Sequence, residues 1–213
     1  METCELRKRG EWVRAAHSGP TPPTRAGLVS STSNIMAAVN LYEVVPDPPD
    51  DVHERWRNRE APDGDFIVYS DGSLSVMSLV RLRAHDARHD PRSEDWHWSQ
   101  TLRATAWRAG DWLDVDGTMA SSSHAGYRAL AGESASHGSI GWVALTLDDE
   151  QRTLQWLAVA CSSNPFAEVT LDEATVTATS TLGRVWAFPR DAPHLVAITA
   201  DPDYPWPRTV GER

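Results

Sequence analysis

The stretch His85-Asp86-Ala87-Arg88-His89-Asp90, with His97 close behind it, gathers the side-chain types that hold zinc or another first-row ion, imidazole and carboxylate together. Histidines four apart share one face of a helix. This stretch instead runs into Asp90-Pro91 and reads as loop, where Arg88 also repels a cation. An exposed polar loop is the simpler account, and His85, His89 and His97 remain weak metal candidates.

Three other patterns approach a chemical signature without completing it. Asp114-Val115-Asp116-Gly117 has the centre of a calcium loop but lacks an acid at Trp112 and a glutamate at Ser123. As strand residues two apart, Asp114 and Asp116 share a side and could form a glycosidase pair, although such carboxylates usually come from separate segments. Gly132-Glu133-Ser134-Ala135-Ser136 puts serine where a nucleophile elbow needs its second glycine, and no β/α repeat surrounds it. The glycines between Gly126 and Gly141 lack the lysine of a phosphate-binding loop, and no dinucleotide fingerprint is present. No catalytic residue and no cofactor are therefore assigned.

Tryptophan is the outstanding feature of composition, 10 in 213 residues. Trp142, Trp156 and Trp186 lie inside apolar runs and are read as core. Trp96, Trp98, Trp107 and Trp112 gather near Asp114 and Asp116, where rigid indoles and carboxylates together suit an interface or a sugar ring. Their structural alternative is that they close the far end of the core. These six residues are the binding candidates.

The elements that position them follow from periodicity. In Ala174-Thr175-Val176-Thr177-Ala178-Thr179-Ser180-Thr181-Leu182 every odd position is threonine, which predicts a strand with one apolar face and one hydroxyl face. Ile140 to Leu147 and Leu154 to Cys161 are apolar on both faces and predict central strands joined by the polar loop Asp148-Asp149-Glu150-Gln151. Val185 to Phe188 and Leu195 to Ala200 complete this region. Asp71-Gly72 between alternating runs predicts a type I′ hairpin, and Trp96 to Trp107 predicts a strand with Trp96, Trp98, Leu102, Ala104 and Ala106 on one face. Asp51-Val52-His53-Glu54 has the form of a capping box and predicts one short helix ending before Pro62. The Ser-, Ala- and Gly-rich stretch from Gly117 to Gly138 predicts a short helix or a long loop.

The fold class expected is all-β or β-dominated, an antiparallel β-sandwich or partly open barrel with one or two short helices, over residues 36–200. Residues 1–35 read as a disordered arm or a gene-call extension, since they show no sustained period and carry opposite charge. Arg7, Lys8, Arg9, Arg14 and Arg25 against Glu2, Glu5 and Glu11 give +2, so the chain's −10 leaves −12 for the rest. Residues 201–213 read as a Pro-rich tail that docks through Trp206 or frays.

Cys4 and Cys161 form neither a disulfide framework nor a zinc site. No run is long enough to span a membrane and no apolar leader follows the basic Arg7-Lys8-Arg9, so a cytoplasmic location is expected. A single lysine among 20 basic residues points to a high-GC coding sequence, read as bacterial. Net acidity argues against nucleic acid and toward a cationic protein partner. The leading expectation is a non-enzymatic protein-interaction module, such as an immunity-type inhibitor or adaptor. A small-ligand or carbohydrate-binding β-module is the alternative, and a metal-dependent hydrolase the third.

Overall fold

Strands whose two faces are both apolar need a cover on each side, and this requirement organises the molecule. The structure is a computed structural model that describes residues 49–83, 90–104, 109–115, 117–134 and 137–206. The expectations for residues 1–35 and for His85, His89, Trp107 and Asp116 fall outside the described residues, as does the tail beyond Trp206.

The described chain runs α1 (Pro49–Arg57), β1 (Glu60–Pro62), β2 (Phe66–Tyr69), β3 (Leu74–Leu82), β4 (Asp95–Ala104), β5 (Trp112–Asp114), β6 (Gly117–His124), β7 (Tyr127–Ser134), β8 (His137–Leu147), β9 (Leu154–Ala160), β10 (Phe166–Leu171), β11 (Thr175–Ser180), β12 (Arg184–Pro189) and β13 (Ala197–Ala200). Short 3₁₀ turns lie at Pro91–Ser93 and Pro193–Leu195. The large sheet has the order β4-β3-β2-β9-β8-β7-β6 and the small one β10-β11-β12-β13. All pairings are antiparallel and neither sheet closes into a barrel, so the fold is β-dominated as expected. No helix among the described residues is long and apolar enough to cross a membrane.

Between the sheets lies an aromatic core. Trp98, Trp186, Phe166 and Phe188 pack edge to face or stacked, with centroids 5.4 to 6.4 Å apart, and Val176 and Ala178 fill the space beside them. The other face of the large sheet carries Trp142, Val159, Leu157 and Val68, in register across β8, β9 and β2. Here α1 contributes buried Val52 and half-buried Trp56, whose ring meets Trp142 edge-on at 5.9 Å. The two-faced runs thus act as central strands, and Trp142, Trp156 and Trp186 are core. In β11 the threonines face outward and Val176, Ala178 and Ser180 inward, as the alternation requires.

Four local expectations change. The Gly117 to Gly138 stretch forms the β6–β7 hairpin rather than a helix or loop. Its two-residue turn, Ala125-Gly126, has φ of 48° and 80°, so the type I′ geometry expected at Asp71-Gly72 occurs here instead. At Asp71-Gly72 only Gly72 has positive φ. Gly72 N–H donates to Tyr69 O and Tyr69 N–H to Ser73 O, which makes a three-residue loop ending in a left-handed glycine.

In β4 the pairing shifts between Val76 and Met77, facing Leu102 and Gln100, so Thr101 is an extra residue. Trp96 and Trp98 face the core, but Leu102 is 49% exposed and leaves their face. Leu195 stands outside the last strand, in a 3₁₀ turn. Residues 201–206 dock: Trp206 Nε1 donates to Asp201 O, Tyr204 OH to Thr181 O, and the two rings meet at 4.8 Å.

Candidate binding site

Among the described residues, two of the indoles nominated from sequence are interior. Trp98 is 2% and Trp96 5% exposed, which corrects their assignment to a binding face: both are packed inside the sandwich. Trp112 is half-buried on β5, with the Arg55 guanidinium 4.4 Å from its ring. Asp114 is exposed and faces Glu60 across the β1–β5 pair, while Glu60 is bonded to Arg55 at 3.1 Å. His97 is exposed on β4 opposite Val80. Among the described residues no group of three or more metal-ligating side chains comes together.

Trp96 does organise a charged cluster. Arg81 lies 4.1 Å and Arg184 5.0 Å from its ring, and its Nε1 donates to Glu94 at 2.9 Å. Arg184 is buried, donates through Nη2 to Pro91 O, and lies 5.2 Å from the Trp206 ring. Burial pushes the Arg184 and Arg81 guanidinium groups below their ordinary range, against the pull of Glu94. Partial burial pushes the Glu94 carboxyl up, but hydrogen bonds from Trp96 and Arg83 and the charges of Arg83 and Arg81 outweigh it and hold Glu94 below its ordinary range.

A depressed carboxylate contributes stability that is complete above its unfolded pKa, about 4.3 for glutamate, and is lost as pH falls through the folded value. Glu94→Gln is therefore expected to reduce stability at pH 7 and to flatten its decline on acidification below about pH 4.3. Urea melts of both proteins from pH 7 to pH 3 check this. An identical pH slope would show that Glu94 is not held by these partners.

A concave site lies elsewhere, at one end of the sandwich. Tyr69 on β2, Trp156 on β9 and Leu145 on β8 stand side by side in register, and Tyr127 begins β7 beside them. Antiparallel pairing puts these four on the face turned toward the small sheet, so a row of ring and aliphatic surface forms the floor. Arg190, Asp191 and Pro193, which follow β12, form the opposite wall. The cleft is open on one side, has a volume of about 190 Å³ and is also lined by Gln155.

Each wall is held in place. Trp156 Nε1 donates to Arg190 O at 2.9 Å, tying floor to wall. Arg190 stacks on Tyr127 at 4.2 Å, and its Nη1 donates to Glu173 O at 2.7 Å. Tyr69 OH lies 3.2 Å from Ser75 Oγ and 3.4 Å from His194 Nδ1, and Gln100 Nε2 donates to the same serine at 2.8 Å. The tyrosine hydroxyl thus sits in a chain of polar groups reaching into the buried sheet. Nothing local in sequence marked Tyr69, Tyr127, Arg190 or Pro193. They come from three separate segments and meet only because the strands end together.

Comparison with protein families, with characterised proteins and with solved structures finds no match.

Proposed function

We propose that this domain is a binding module whose site is the end cavity lined by Tyr69, Tyr127, Trp156 and Arg190, and that it takes a small ring-bearing ligand. The observation that carries this is the cleft itself, which gathers three aromatic side chains and a fixed guanidinium around one open concavity. Small-molecule sites set a few polar groups that fix orientation beside ring surface, and Arg190, Asp191 and Gln155 stand beside the rings here. At about 190 Å³ the space is below the roughly 300–1,000 Å³ of sites for drug-sized ligands. A single substituted ring suits it.

This reading is preferred to a cationic protein partner on the Trp112 and Asp114 side. There the interface anchors are depleted, because Trp96 and Trp98 are interior and Trp112 already carries the Arg55 guanidinium. Ligand-observed NMR with phenol, benzoate, benzamide and glucose, applied to the full chain, tests the cavity. At least one ring-bearing probe is expected to bind saturably, and Tyr127→Ala to weaken it tenfold or more. Saturable binding unchanged in Tyr127→Ala would put the site elsewhere, and binding by none of the four would remove the reading.

A further inference from the structure

We infer that the chain pairs with a second copy of itself through the outer edge of β6, the two strands running antiparallel across a two-fold axis. β6 ends the large sheet and is bonded to β7 alone. His124 faces Tyr127 across the two-residue turn, so antiparallel alternation gives the bonds with β7 to His124, Ser122 and Ala120. The N–H and C=O groups of Ser121 and Ser123 therefore point away from the sheet. Arg128, which faces Ser123, turns its carbonyl to Thr146 on β8, as this alternation requires. Both serines are exposed, and among the described residues no backbone group of another strand or loop bonds to either of them.

An unpaired edge is a template for another strand, and folded chains normally defend it with charge, proline, a bulge or brevity. The other ends of the two sandwich sheets are defended in these ways. β4 carries Asp95, Arg103 and the extra residue Thr101, β10 carries Glu168 and a register shift after Phe166, and β13 spans only Ala197–Ala200. From Ala120 to His124, β6 has no Asp, Glu, Lys, Arg or Pro, and its register shift falls before this stretch. Ser122 Oγ accepts from Leu171 N–H of β10 at 3.2 Å, which fixes the strand from the small-sheet side before any partner arrives. The same stretch fits its own copy. With the axis at Ser122, Ser121 exchanges backbone bonds with Ser123 of the second copy and small or hydroxyl side chains face one another, so no like charges are opposed. A cationic peptide fits less well, because this edge offers it no carboxylate. Pairing also stops at two copies: a two-fold contact uses both open edges, and the charged, bulged β4 does not extend the sheet.

Sedimentation velocity on the full chain over a dilution series tests this. A reversible monomer–dimer equilibrium is expected, and added salt should strengthen it, because the chain's net charge of −10 sets two copies against each other while the paired edges are neutral. Hydrogen exchange locates the contact: the Ser121 and Ser123 amides should exchange more slowly as the dimer forms. Ser121→Lys with Ser123→Lys is expected to dimerise at least tenfold more weakly than the unmodified chain, and so is Ser121→Glu with Ser123→Glu, whereas an equimolar mixture of the two should recover dimerisation. Thermal melts establish that both variants are folded; should either not fold, the exchange of the two amides carries the test. A chain that stays monomeric throughout the series would overturn the inference. So would a dimer that persists undiminished in both variants, one that salt dissociates, or one whose formation leaves the Ser121 and Ser123 amides exchanging as fast as in the monomer.

Discussion

Trp186→Ala is expected to cost roughly 3–5 kcal/mol, the range for removing a fully buried large aromatic. Trp186 is 0% exposed and touches Trp98, Phe166 and Phe188, so its loss leaves those three rings facing a cavity. Aromatic pairs contribute about 0.5–1.5 kcal/mol each beyond the area they bury, which puts this position at the costly end. With roughly 2–4 °C per kcal/mol for a domain of this size, the melting temperature should fall by on the order of 10 °C. Trp186→Phe should be much milder. The indole Nε1 of Trp186 is buried without a partner, so the phenylalanine keeps a ring in the core and removes an unsatisfied donor that itself costs about 1–3 kcal/mol. Thermal and urea melts of the two variants check both values. A Trp186→Phe protein as unstable as Trp186→Ala would mean that the indole nitrogen finds a partner.

Gly132→Ala is expected to destabilise by more than about 2 kcal/mol, within the upper part of the range for overpacked sites. A methyl at Gly132 would overlap the carbonyl oxygen of Gly117 and press on the Trp142 ring. The first of these is backbone, which cannot rotate away, so β6 would have to leave its partner. Gly138 supplies the control, since a methyl there meets nothing within 4 Å. Gly138→Ala should change stability by no more than about 0.5 kcal/mol. Hydrogen exchange locates the damage: amides of β6 should lose protection in Gly132→Ala while those of β8 and β9 keep it. Uniform loss along the large sheet would instead show that β6 and the central strands open together.

The two tests probe regions that differ in how well the sequence announces them. Strands β8, β9 and β11 are legible because large apolar side chains alternate or run continuously, and burial follows that pattern residue by residue. Strands β6 and β7 are not, since β6 has no buried position and in β7 Leu130 is the one large buried residue among Ala129, Ala131 and Gly132, a composition that alternation rules read as loop. Close approach of the hairpin requires that smallness. In β4 the alternation held through Trp98 and failed at Leu102, because one extra residue changes which side the chain presents and a bulge has no compositional mark here.

The candidate site was less legible than the fold for a similar reason. Periodicity tells which face of a strand a side chain takes, but not which strand ends meet. Tyr69 and Arg190 are far apart in the chain, and their juxtaposition depends on β2 and β9 pairing in the large sheet while β12 runs past them in the small one. The abundance of tryptophan drew attention to Trp96 and Trp98, whereas the cavity is built around Trp156, whose run of apolar neighbours made it look purely structural. It is both floor and core.

Titration of the full chain with benzoate, followed through the tryptophan indole N–H resonances, tests the location of the site most directly. Trp156 Nε1–H donates to Arg190 O across the cavity, whereas Trp142 Nε1–H donates to Glu133 O on the opposite face of the large sheet. The Trp156 indole signal should shift saturably, and the Trp142 signal should stay in place. Movement of the Trp142 indole with a silent Trp156 would contradict the assignment of this cavity as the binding site.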